Sequence, residues 1–222
     1  MPCSLCDDTG WKSVDVDGVR RVARCDCWRD RVTSTRLGHA NIPKRYQHCT
    51  LDNFRVYNES LERAVTQALQ VADRFPVVSK GLLLEGQPGV GKTHLAVAVL
   101  KQVVQATGAR GLFYDTRDLL RVIRSTYDPS TRTTELQVLQ PVMRADLLVL
   151  DDLGAEKTSE WVEETMNLIV NTRYNEKRLT IFTSNYLDIP DVEDPNSLLC
   201  RDRKSTRLNS SHIPVSRMPS SA

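Results

Sequence analysis

The 222-residue chain contains no apolar run long enough to cross a bilayer: stretches such as Leu147-Leu148-Val149-Leu150 fall far short of the roughly 20 residues a span needs. Its first residues, Met1 to Thr9, lack the basic-then-apolar order of a secretory signal. These absences exclude a membrane-spanning reading and point to the cytoplasm. An excess of one charge is also missing: 30 Lys+Arg face 28 Asp+Glu, a net +2. Positions 201–222 hold five of the basic and one of the acidic residues, so the rest carries 25 against 27, or −2. Net charge therefore gives no ground for nucleic-acid binding. A thioredoxin-like βαβ pattern is absent around Cys3 and Cys6, which argues against a catalytic redox pair.

What is present is a composition of 40% hydrophobic and 26% charged residues, enough for one full domain plus a small module. Four of the six cysteines lie in the first 27 residues, as Cys3-x2-Cys6 and Cys25-x-Cys27. Two close thiolate pairs can surround a tetrahedral zinc ion if the segment between them folds back as a hairpin. Asp17-Gly18, flanked by valines, supplies the turn signal. Such a module, residues 1–40, buries too little to fold alone, so metal would decide its folding. Four unrelated reduced thiols remain the alternative, and His39, His48 and Cys49 are possible substitute ligands.

A connector, His39 to Phe54, leads to a helical stripe of Leu61, Ala64, Val65, Ala68, Leu69, Ala72 and Phe75, stopped by Pro76. Next, the apolar Gly81 to Glu85 runs into Gly86-Gln87-Pro88-Gly89-Val90-Gly91-Lys92-Thr93 and then His94 to Leu100. Strand, glycine loop and helix in that order, with the spacing GxxxxGKT, form a phosphate-binding loop. Its glycines let backbone N–H groups face phosphate oxygens at a helix N-terminus. Lys92 would reach the β- and γ-phosphates and Thr93 would ligate magnesium. The set Gly86 to His94 is thus expected to hold ATP. A second apolar strand, Leu147 to Leu150, follows helical stretches Asp118 to Tyr127 and Glu135 to Arg144 and ends in Asp151-Asp152. Asp151 is expected to hold Mg²⁺ and Asp152 to polarise the attacking water. A helix, Trp161 to Tyr174, with Val162, Thr165, Met166, Ile169 and Val170 on its apolar face, precedes a third strand, Leu179 to Phe182, ending in Thr183-Ser184-Asn185.

IPKRYQHCTLDNF (Ile42 to Phe54), GLLLEGQPGVGKTHLA (Gly81 to Ala96), LLVLDDLGAEK (Leu147 to Lys157) and NTRYNEKRLTIFTSNY (Asn171 to Tyr186) together resemble the DnaC/DnaI helicase loaders and their relatives, the IstB transposition ATPases, within the AAA+ superfamily. The resemblance covers about residues 42 to 195. It implies a three-layer α/β ATPase domain with a parallel sheet over residues 41–200. Asn185 would stand at the sensor-1 position, beside the acidic pair and the γ-phosphate. ATP-driven loading of a replicative helicase onto single-stranded DNA is the implied function, with the zinc module gripping the helicase. A transposase-delivering helper and a low-turnover nucleotide switch are the alternatives. Family members assemble through their ATP sites, each completed by a neighbour's arginine.

The last segment departs from that pattern. Asp202 to His212, DRKSTRLNSSH, is an in-frame translation of a common sequencing-library adapter, and Ser216 to Ala222, SRMPSSA, continues it. A Ser-rich disordered tail is the other reading of residues 201–222. On the adapter reading the native arginine donor and helical lid are lost, and Arg203 and Arg207 are not candidates for that arginine.

Overall fold

The computed structural model describes residues 3–16, 18–77, 80–157, 159–186 and 198–203, with the backbone alone at 16 and 198–203. Its elements are β1 (Trp11–Val16), β2 (Val19–Arg24), α1 (Asp26–Gly38), a 3₁₀ turn (Lys44–Tyr46), α2 (Glu59–Arg74), β3 (Gly81–Gly86), α3 (Lys92–Thr107), β4 (Gly111–Asp115), α4 (Thr116–Ser125), α5 (Glu135–Arg144), β5 (Leu147–Leu153), α6 (Glu160–Asn175), β6 (Leu179–Ser184) and β7 (Leu198–Arg203).

The main sheet runs in the order β4-β5-β6-β3-β7. Its first four strands are parallel and β7 pairs antiparallel to β3. Alternation along the buried strands divides the core between the two faces of the sheet. Leu82, Leu84, Phe113, Leu147, Val149, Leu179 and Ile181 join α2 and α3 in one cluster. Leu83, Leu148, Leu150 and Phe182 join α4, α5 and α6 in the other. Helices cover both faces, which makes the domain three-layered as expected. Every functional strand end at β3, β5 and β6 points to the same edge of this sandwich.

Several expectations shift in detail. Strand β4 (GLFYD) and the helix α1 had no counterpart in the sequence reading. Helix α4 begins at Thr116, two residues before the expected start, because the Asp115 side chain accepts from the N–H groups of Arg117 and Asp118. On α2 the buried stripe is Leu61, Ala64, Ala68, Val71 and Ala72, while Leu69 is turned outward. Helix α1 runs unbroken from the cysteine cluster, and its end packs into the ATPase core through Leu37 and Ala40. The Ala40 carbonyl also accepts from Phe113 N–H at 2.8 Å, tying the connector to β4. At the other end, β7 carries the chain across position 200 to Arg203. An edge strand is held by main-chain hydrogen bonds, which any non-proline residue can supply, so pairing crosses a boundary drawn on sequence origin. The rest of the tail, 204–222, lies outside the described residues.

Candidate nucleotide site

The loop between β3 and α3 is shaped by glycines where side chains are excluded. Gly91 has φ +99°, and a Cβ there would come within 2.7 Å of the Phe54 ring. Phe54 belongs to the connector, so the connector roofs the loop. Val90 packs into the core, whereas Gln87, Pro88 and Gly89 are exposed, leaving their backbone to face a ligand. The first intrahelical bond of α3 is Leu95 N–H to Gly91 O at 2.9 Å. The N–H groups of Lys92, Thr93 and His94 therefore have no intrahelical acceptor and are presented at the positive end of the helix. The His94 ring takes no part in this. Its Nε2 lies 3.0 Å from Thr50 O and 2.9 Å from Asn53 Oδ1, with the Phe54 ring edge-on, so the side chain braces the connector and only its backbone belongs to the loop.

Lys92 is buried and folds back to donate to Gly86 O at 2.8 Å and Gln87 O at 2.9 Å. Burial lowers its pKa, opposed by the charges of Asp151 and Asp152. Asp151 ends the buried run of β5. Its carboxylate accepts from Thr93 Oγ1 at 2.9 and 3.1 Å and from Thr183 Oγ1 at 2.6 Å. Burial raises its pKa, with Thr183 and Thr93 pulling against it and Asp152 and Asp115 adding repulsion. The Thr93 hydroxyl and the Asp151 carboxylate are hard oxygen donors held together, a donor set that fits Mg²⁺.

Asp152 sits in the left-handed region at φ +58°, where β5 and β6 slip register between Leu150 and Leu153. The bulge turns two consecutive carboxylates toward the same edge, which a regular strand would direct to opposite faces. Asn185 Nδ2 donates to Asp152 Oδ1 at 2.5 Å and Arg117 donates to Oδ2 at 3.1 Å. The structure thus brings together Lys92, Thr93, Asp151, Asp152 and Asn185 from three strand ends. It adds two residues the sequence reading missed. Thr183 bridges the acids, giving its proton to Asp151 and accepting from Asp152 N–H at 2.9 Å. Arg117 reaches them from the first turn of α4. Thr183 stands two residues before Asn185 in the same strand end, whereas Arg117 follows β4, which the sequence pattern did not reveal.

The second candidate centre is the cysteine cluster. Cys3, Cys6, Cys25 and Cys27 place their sulfurs within 4.8 Å of one another, with Cys3–Cys25 at 3.7 Å and Cys6–Cys27 at 3.2 Å. A tetrahedral ion with sulfur at ~2.3 Å needs ligand edges of roughly 3.8 Å, so the set fits zinc. β1 and β2 pair as the expected antiparallel hairpin, with Gly18 at φ +75°. A hydrogen bond with Cys27 draws the Cys6 thiol down to about 7. His39, His48 and Cys49 are not part of the cluster.

The profile of the IstB-like ATP binding protein family matches residues 16–189. The chain belongs to the IstB-like ATP-binding family. Among curated relatives, the IstB-like chain is 31% identical over 149 residues to the replicative helicase loader DnaC of Escherichia coli K12. It is 30% identical over 149 residues to the DnaC of Buchnera aphidicola subsp. Baizongia pistaciae. Each alignment covers 67% of this chain and 60% of the relative, so the chain spans less than two thirds of their length. The crystal structure of the DnaC helicase loader superposes with a TM-score of 0.60 at 39% identity, covering 67% of this chain and 83% of that one. DnaI gives 0.57 at 26%, covering 67% and 78%. The AMPPCP-bound DnaA of Aquifex aeolicus, at 22% identity and a TM-score of 0.58 over 67% of this chain and 44% of its own, shares the AAA+ fold. No helix among the described residues is long and apolar enough to cross a membrane.

Proposed function

We propose that this chain is a Mg-ATP-hydrolysing loader of a replicative helicase onto single-stranded DNA. The carrying observation is the convergence of Lys92, Thr93, Asp151, Asp152 and Asn185 at one edge of the sheet, on a chain whose relatives are named DnaC loaders. In this reading the N–H groups of Gly89 to His94 hold the phosphates, and Lys92 leaves the Gly86 and Gln87 carbonyls to neutralise the γ-phosphate. Mg²⁺ held by Thr93 and Asp151 would offset charge on the transferring group. Asp152 orients the attacking water, and Asn185 fixes the Asp152 carboxylate. Because Arg117 already engages Asp152, turnover requires that ion pair to open.

The cysteine module, with zinc bound, would contact the helicase. That module favours a loader over the transposition helper. Assembly through ATP sites would use an arginine from a neighbour to complete each site. The 222-residue chain by itself should bind ATP but turn it over slowly until such a neighbour completes the site. Helicase loading on a forked substrate, measured with and without ATP, tests the proposal. Loading that proceeds equally with Lys92→Ala would overturn it.

A further inference from the structure

At the opposite end of the sheet from the P-loop, where β4 and β5 begin, a cavity of about 470 Å³ opens between α1, β4 and α5. Its floor is apolar, with Leu112 and Pro141, and its rim carries Arg36, His39, Arg110 and Arg144. Arg110 is tied to Asp146, which also holds Arg178, and Arg178 in turn holds Glu176. Among the described residues neither Arg36 nor Arg144 has a carboxylate within ion-pair range. Of the three arginines that line the cavity, Arg110 alone has an ion-pair partner, which leaves Arg36 and Arg144 around one concavity without one. Arg36 and Arg144 stand in the last turns of α1 and α5, where the helix dipole accounts for one cation each. Dipoles do not account for cations from α1, from the start of β4 and from α5 lining a single hollow.

We propose that this cavity is a second, P-loop-independent site for a nucleoside phosphate. Guanidinium forks pair with phosphate oxygens in bidentate fashion and also stack on bases. A flat base over Leu112 and Pro141 with its phosphate among Arg36, Arg110 and Arg144 satisfies both the floor and the rim, and the volume lies in the range of small-ligand pockets. An acidic peptide would match the rim and leave the floor unused. The phosphate could belong to a free nucleotide or to a unit of single-stranded nucleic acid.

Two probes distinguish these sources: N-methylanthraniloyl-ADP and a fluorescein-labelled dT hexamer, each titrated into the full chain and into Lys92→Ala. At least one probe should bind one-to-one in Lys92→Ala, weaken tenfold or more in that background with Arg36→Gln and Arg144→Gln, and be unaffected by Arg132→Gln, an exposed control elsewhere. The probe that behaves so names the source. Arg144→Gln alone, at an exposed position, should weaken binding at least threefold and serves if the double substitution fails to fold. The proposal is overturned if neither probe saturates, if Arg132→Gln weakens binding equally, or if poly-glutamate displaces the probes at tenfold lower concentration than either competes with the other.

Discussion

Asp151 illustrates how one residue inherits its properties from neighbours. Desolvation pushes its pKa above the ordinary 3.8, and the hydroxyls of Thr93 and Thr183 limit the rise. Between that ordinary value and the raised one, the folded protein without nucleotide keeps a proton that the unfolded chain has lost. Its contribution to stability therefore falls as pH rises through this window. Mg-ATP needs the ionised form, so affinity should rise with pH over the same window, with proton release on binding. Calorimetry in buffers of different ionisation enthalpy measures that release, and Asp151→Asn should abolish it. Thr183→Val removes the hydroxyl that joins the two acids. Losing a hydrogen bond to a charged group costs about 1.5–3 kcal/mol, so Mg-ATP affinity should drop by about tenfold or more, with Thr183→Ser restoring it. Lys92→Ala should weaken nucleotide binding strongly, and equal affinity of variant and parent for a fluorescent analogue would refute the P-loop assignment.

Among elements, α5 and α6 depend on Arg173, an arginine that is 1% exposed. It donates to Val142 O at 2.7 Å and Ala145 O at 2.8 Å, which end α5, and to Leu179 O at 2.6 Å and Thr180 Oγ1 at 2.9 Å on β6. One guanidinium thus satisfies the orphan carbonyls of one helix and fastens it to the sheet. Burial draws its pKa down to about 9, still above neutrality, so the charge persists. Arg173→Met keeps the apolar bulk but strands several buried carbonyls at about 1–3 kcal/mol each. The urea midpoint should fall sharply with an unchanged slope. Lys at this position should rescue little, because an ammonium offers three donors and no planar fork.

On the scale of the whole molecule, α1 is a rigid bridge: Cys25 and Cys27 begin it, and Leu37 ends it against the ATPase core. Removing zinc should then unfold the hairpin and the first turns of α1 while leaving β3 to β6 protected. Hydrogen exchange before and after chelation reads this directly, and about one zinc per chain is expected before chelation. Retention of zinc by the Cys25→Ser, Cys27→Ser double variant would show that the metal sits elsewhere.

The phosphate loop, the acidic strand end and the cysteine pairs were legible in the residues alone, because each rests on local spacing: glycine freedom, a helix N-terminus, an apolar strand run, paired thiols; the layered α/β class followed from the family resemblance those motifs carry. The fold alone decided what local spacing cannot carry. Strand β4 is only five residues long and half-buried, so its pattern was faint, and Arg117 became visible only once β4 delivered it to Asp152. Arg173 reads in sequence as an ordinary charged residue at a helix end, until α5 and β6 close around it. The meeting of Asp151 with Thr183, 32 residues apart in sequence, depends on the parallel register of β5 and β6 and on the bulge at Asp152. Such contacts come from where separate elements stop beside one another, and that is set by packing over the whole core.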